Sequence, residues 1–185
     1  MAVFRGVKGS GKVAIVTVSL PYLVLVILFF RGITLSGAST GILYYVSPDW
    51  ERLGDVTVWT AAANQIFFSL SMGWGVLVVF GSYLPKNESV IKDALTIALI
   101  NCATSLFCGF VVFSILGHLA EEAGKDVEDL IESGPTLAFV VFPQAIATMP
   151  ASFVFAILFF VMVVLLGIDS LFALVEAIIA AFEES

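Results

Sequence analysis

Apolar residues run along this chain in four long blocks, with polar residues gathered in the gaps. Residues 13–30, VAIVTVSLPYLVLVILFF, carry no charge, and further blocks occupy residues 56–83, 94–117 and 151–182. A helix needs roughly 20 apolar residues to cross a hydrocarbon core of about 30 Å. The pattern therefore predicts an all-α integral membrane protein with four transmembrane helices, the first kinked at Pro21. The second block is interrupted at its centre by Ser69-Leu70-Ser71-Met72-Gly73-Trp74-Gly75. Irregular backbone at membrane depth is tolerated only where it is buried in protein or lines a cavity. The interruption thus predicts an unwound span whose helix ends and free carbonyls face a solute and its ions.

The connections differ in kind. Residues 31–55 read as a loop with Gly32, Gly37, Gly41 and the turn Ser47-Pro48-Asp49-Trp50, and residues 84–92 as a short polar link. The loop of residues 118–150 opens with Glu121, Glu122, Asp126, Glu128, Asp129 and Glu132. Val127, Leu130 and Ile131 recur there at helical spacing, which predicts an amphipathic surface helix. After Gly134-Pro135 the run TLAFVVFPQAIATMP is apolar but short for a span, and reads as a re-entrant or capping hairpin on the outer face. The four spans show no internal repeat.

An even number of spans puts both termini on one side. Arg5, Lys8, Lys12, Lys86 and Lys92 then share that side, and Arg31, Arg52 and Lys125 the other, which assigns cytoplasmic termini. Composition sharpens the class. The chain is 60% hydrophobic, 12% charged and has a mean hydropathy of +1.08, beyond what a soluble domain uses. A net charge of −7 argues against nucleic acid as a partner and leaves the lipid bilayer. The first residues are basic, but the apolar run that follows has no small-residue cleavage site, so they are not read as a secretory signal.

Polar side chains at membrane depth are costly and need a partner or a task. Gln65 and Ser69 lie one turn apart on the second span, as do Asn101 and Ser105 on the third. On the fourth, Leu166, Asp169 and Ser170 share a face, giving a carboxylate, a hydroxyl and a backbone carbonyl. An all-oxygen set fits a hard cation, and Gly167 would loosen the helix enough to turn the Leu166 carbonyl outward. Serines in such helices also bond back to their own backbone, and Asn101 could serve as helix–helix glue. Glu176 lies nearer the cytoplasmic end, where it could snorkel, and His118 at a span end reads as an interfacial residue. Cys102 and Cys108 sit on one helix, roughly 9 Å apart along its axis, so no disulfide joins them. An intramembrane aspartyl protease would need two carboxylates sharing a proton. Asp169 and Glu176 are about 10 Å apart on one helix, too far for that, and the chain is not read as an enzyme.

These residues resemble the neurotransmitter:sodium symporters, the sodium- and chloride-dependent carriers of amino acids and amines. GSGKVAIVTVSLPYLVLVILFFRGITLSGA is similar to that family's fifth transmembrane helix and the loop after it, and VWTAAANQIFFSLSMGWG to its unwound sixth. NCATSLFCGFVVFSILG resembles the seventh, SGPTLAFVVFPQAIATMP the fourth extracellular loop, and FFVMVVLLGIDSLFALVE the eighth. The resemblance covers the chain almost end to end and rests on QIFFSL, NxxTS and LGxDS in that order. It implies part of a larger inverted-repeat core in the plasma membrane, with sodium and chloride as co-transported ions and no bound cofactor.

The resemblance also implies roles. Ser69 and Asn101 match one sodium site, and the Leu166 carbonyl, Asp169 and Ser170 a second. Gln65, Ser69, Asn101 and Ser105 match the chloride site. Phe68, Leu70, Trp74, Leu171 and Leu174 fall where the family lines its substrate pocket, with Phe68 as the aromatic lid. FFSLSMGWG looks most like the glycine carriers, which implies a small amino acid as substrate. The chain departs from the family at Phe142 and Gln144, where Tyr and Glu are usual around the proline, and at Leu84-Pro85, where Asn-x-Phe is usual. The family has more spans than these, so the chain reads as a fragment that needs the missing helices. The other reading is a truncated, non-transporting isoform that associates with full-length carriers.

Overall fold

The computed structural model describes residues 7–82, 89–131 and 134–183. Arg5, Leu84, Pro85, Lys86 and Glu132 lie outside the described residues. Helix α1 (Val7–Ile33) is followed by α2 (Ala38–Val46), a 3-10 turn (Glu51–Gly54), α3 (Val56–Ser69) and α4 (Val76–Ser82). Then come α5 (Val90–Ala123), the single turn α6 (Val127–Leu130), a π-helical turn (Leu137–Val141) running into α7 (Phe142–Ala147), and α8 (Ser152–Glu183). Among the described residues there is no strand. Ile15–Ile33, Val90–Ala123 and Ser152–Ala180 are each long and apolar enough to cross a membrane. The block of residues 56–83 is divided between α3 and α4. At 1.5 Å per residue these are about 21 and 10 Å long, so neither crosses a bilayer alone.

The chain forms two compact units. The first, Met1–Pro48 with Leu106–Gly167, holds a hydrophobic core. Val24 and Leu28 of α1, Val111, Ile115 and Leu116 of α5, and Phe159 and Met162 of α8 meet there. The apolar run after Pro135 adds Phe142, Ala145, Ile146 and Met149, and Phe142 packs on Phe159 with ring centroids 4.7 Å apart. Its π turn has a local cause. Pro143 has no N–H to continue an α ladder, and the Phe142 N–H reaches back five residues to the Leu137 carbonyl.

Helix α2 lies within residues 31–55, where the sequence pattern predicts a loop. It packs on α5 backbone to backbone through glycines: a Cβ on Gly117 would come 2.6 Å from the Gly41 nitrogen. Tyr45 stacks on Phe113 beside this contact, with centroids 4.8 Å apart. His118 is buried here, 5% exposed, rather than interfacial. Its Nδ1–H donates to the Ser36 carbonyl at 3.0 Å, which ties α5 to the turn between α1 and α2. The acidic segment also differs from the expected surface helix. Glu121 and Glu122 belong to the last turn of α5, which Gly124 ends in left-handed backbone (φ 61°), and only Val127–Leu130 remains as separate helix.

The second unit, Asp49–Ser105 with Ile168–Ser185, is opened by polar caps. Asp49 Oδ1 accepts from the Glu51 N–H at 3.2 Å, and Asp55 Oδ1 accepts from the Thr57 N–H at 2.9 Å as the N-cap of α3. The Trp59 indole N–H donates to the Leu53 carbonyl at 2.9 Å. Most apolar side chains of this unit, among them Ile66, Phe67, Leu95 and Leu99, are exposed. Such a surface calls for lipid or further apolar helices around it.

Candidate functional site: the break between α3 and α4

Helix α3 ends where its sequence turns to Ser-Leu-Ser. Leu70 stands as C-cap, and Ser71 follows in left-handed backbone with φ 52°. The Ser71 N–H donates to the Phe68 carbonyl at 3.0 Å and the Met72 N–H to the Phe67 carbonyl at 3.0 Å. These are the two paired bonds of a Schellman motif. Gly73 (φ 88°) and Gly75 (φ 77°) carry the chain through two more positive-φ positions before α4 begins at Val76. L-residues with side chains rarely adopt that backbone, which is why both positions hold glycine. Among the described residues, no backbone N–H reaches the carbonyls of Ser69, Leu70, Met72 or Gly73. The break therefore presents unpaired carbonyl oxygens, as the Ser/Gly interruption of an apolar span predicts.

Beside the break lies an open cleft of about 540 Å³ within the second unit. Phe68, Ser69, Ser71, Trp74 and Val76 line one side, and Asp169, Ser170, Ala173 and Leu174 of α8 the other. A carboxylate, three hydroxyls and two aromatic rings thus converge on one space. The Ser69 hydroxyl donates to Asn101 Oδ1 of α5 at 2.9 Å, which brings two hard oxygen donors together. Hydroxyl, amide and carboxylate oxygens are the ligands of hard cations such as sodium.

The expected residues distribute unevenly around this cleft. Ser69, Asp169, Ser170, Phe68, Trp74 and Leu174 line it, and Asn101 reaches it through Ser69. Leu70 is half-buried at the break and Leu171 is 61% exposed, and neither is in the lining. Gln65 and Ser105, each one turn from the Ser69–Asn101 pair, are exposed. Leu166 lies in the first unit, and α8 runs without interruption from Ser152 to Glu183, so the helix does not open at Gly167. Ser71, Val76 and Ala173 were not among the expected site residues. Ala173 could have been found as the residue one turn after Asp169, and Ser71 as the only side chain between Leu70 and Met72 in the break.

The whole chain, residues 1–185, matches the sodium:neurotransmitter symporter family. It is 50% identical over 179 residues to a creatine transporter of Torpedo marmorata, covering 97% of this chain and 29% of that protein. It is 47% identical over 181 residues to sodium- and chloride-dependent glycine transporter 1 of Xenopus laevis, covering 98% of this chain and 29% of that protein. It is 50% identical over 177 residues to sodium- and chloride-dependent creatine transporter 1 of Homo sapiens, covering 96% of this chain and 28% of that protein. The chain spans under a third of the length of these relatives, all of which are transporters by name rather than enzymes. A helix broken at Ser-Leu-Ser, opposite an α8 that carries Asp169-Ser170, is part of a multi-pass membrane protein, and the chain belongs to the sodium:neurotransmitter symporter family.

Proposed function

We propose that the chain forms part of a sodium- and chloride-coupled symporter of a small amino acid or a related solute, located in the plasma membrane with both ends of this segment cytoplasmic. The observation that carries the reading is the cleft at the break, where Ser69, Asp169 and Ser170 share one space with Phe68 and Trp74. Ser69 and Asn101 hold one sodium ion. Asp169 and Ser170 hold a second, and helices outside this segment complete both shells. Sodium running down its gradient binds the outward-open state, and closure of the broken helix around the loaded cleft commits the solute.

Chloride takes the neutral donors. The Ser69–Asn101 pair fixes a level on α3 and α5. A turn back on α3 reaches Gln65 and a turn forward on α5 reaches Ser105, the same level for helices that run antiparallel. The Gln65 and Asn101 amides and the Ser105 hydroxyl offer N–H and O–H donors without a cation, the Ser69 hydroxyl turns from Asn101 to join them, and an anion there offsets the neighbouring sodium charge.

The relatives are named for creatine and for glycine, two small zwitterions with a carboxylate. Trp74 and Phe68 at the break limit the room beside the free carbonyls. Glycine or a near relative is the substrate this reading favours, with creatine next. The test is uptake by the full-length carrier containing this segment, with sodium replaced by choline or chloride by gluconate. Glycine, sarcosine, creatine, proline, leucine, GABA and serotonin compete as substrates. Uptake that needs both ions and is blocked best by glycine is expected. Ion-independent uptake, or best competition by leucine or serotonin, would contradict it.

A further inference from the structure

The chain's single histidine is buried where α5 passes the turn between α1 and α2. A carbonyl oxygen only accepts, so the 3.0 Å contact with Ser36 fixes the hydrogen on Nδ1 of His118 and leaves a lone pair on Nε2. Nε2 is itself fully buried and meets no hydrogen-bond partner among the described residues. The charged side chains around it come from few elements. Glu121 and Glu122 lie one turn further along α5, and Glu121 Oε2 sits close against Gly37, 2.6 Å from where a Cβ would be. Arg31, in the last turn of α1, donates to the Thr34 hydroxyl at 3.3 Å and covers the Phe155 ring. Lys125 and Asp126 follow α5, and α6, which packs on α2, carries Glu128 and Asp129. Helix α2 offers only the phenols of Tyr44 and Tyr45, and α7 and α8 as far as Gly167 carry no charge. Among the described residues no ion pair joins His118 to any of these groups.

We infer that His118 is a proton-sensitive tie between α5 and the α1–α2 turn, holding the turn while neutral and releasing it when protonated. A second proton puts an N–H and a full charge at Nε2, a buried position without an acceptor. That costs more than the unused lone pair of the neutral ring. The acceptors that suit an imidazolium are the exposed Glu121 and Glu122 carboxylates one turn on, and turning toward them gives up the Ser36 carbonyl. The ring therefore has one partner in each charge state. The turn leads into α2, whose backbone rests on α5 at Gly41 and Gly117, so release loosens that seam. An imidazole changes charge between about pH 5 and 8. The consequence for transport rests on the function proposed above: with both ends of the segment cytoplasmic, this turn faces outside, and outside acid slows uptake.

The variant that separates the tie from its titration is His118→Asn, which keeps an amide N–H for the Ser36 carbonyl and cannot take a proton. Sodium-driven uptake by the full-length carrier, normalised to the amount at the surface, is measured with the outside medium at about pH 7.5 and about pH 5.5. One linked proton changes a population by at most about tenfold per pH unit, so the parent should lose about threefold or more over this range and His118→Asn less than about twofold. A parent indifferent to outside acid, or a His118→Asn carrier with the parent's full drop, would overturn the inference. If His118→Asn does not reach the surface, His118→Gln carries the same test. A parent without sodium-dependent uptake would contradict the proposed function instead. Melting of the solubilised carrier then decides about the tie: acid should lower the melting temperature of the parent more than that of His118→Asn, and equal shifts would overturn the inference.

Discussion

Gly117→Ala tests the packing that builds the first unit. A Cβ at this position would come 2.6 Å from the Gly41 nitrogen and 2.8 Å from its Cα, and would also meet the Gly37 carbonyl oxygen. Non-bonded carbon contacts are comfortable at 3.5–4.0 Å, so the two backbones must separate by about 0.8 Å or more. No side-chain rotation can relieve this, because every atom named is main chain. Overpacking a fitted contact costs about 1–3 kcal/mol. Moving α2 away also loosens the stacking of Tyr44 and Tyr45 on Phe113, at about 0.5–1.5 kcal/mol for a pair. A loss of about 2–4 kcal/mol is therefore expected. The assay is thermal melting of the detergent-solubilised full-length carrier, followed by the fraction that stays monodisperse. Gly81→Ala serves as the control, since nothing lies within 4 Å of a Cβ there and alanine favours helix α4. A Gly117→Ala carrier that melts with the Gly81→Ala control would refute the reasoning.

Three further outcomes follow from the site and its caps. Ser105→Glu places a fixed carboxylate where the anion is proposed to sit, so uptake should survive replacement of chloride by gluconate; uptake still abolished would reject the assignment. Trp74→Ala removes aromatic bulk from the cleft lining and should extend competition toward larger amino acids, by up to about 1–3 kcal/mol per methylene; an unchanged size profile would mean that Trp74 does not limit the solute. The Thr57 backbone N–H and hydroxyl hold the Asp55 carboxyl below its ordinary range. A depressed folded-state value stabilises the cap at pH above about 3.9, and the contribution is lost as pH falls from there through the folded value. Asp55→Asn should therefore reduce the acid sensitivity of α3's first turn in hydrogen exchange, and an acid profile identical to the parent's would contradict this.

The spans and the break were legible because each rests on a local signal. Long apolar blocks predict α1, α5 and α8, and Gly73 and Gly75 write the turn after α3 into the residue type that accepts positive φ. Helix α2 was not legible, because its stability comes from Gly37, Gly41 and Gly117 meeting across two elements far apart in sequence. Read one residue at a time, those glycines signal a loop. His118 misleads for the same reason: its partner is the Ser36 carbonyl, 82 positions away. In the site, the polar residues were found one by one from their cost in an apolar setting. Their grouping was less visible. Leu171 neighbours Ser170 in sequence yet is absent from the cleft lining, whereas Ala173, a turn beyond Asp169, is present. Helical phase decides that, and a motif carried over as a block hides it.

The carboxylate of Asp169, which lines the cleft beside Ser170, is proposed to couple sodium to uptake. The direct measurement is the sodium dependence of radiolabelled solute uptake by the full-length carrier with Asp169→Asn, normalised to the amount at the cell surface. The substitution keeps the shape and removes the charge, so surface expression should stay normal with sodium-driven uptake abolished. An unchanged sodium titration in that variant would contradict it.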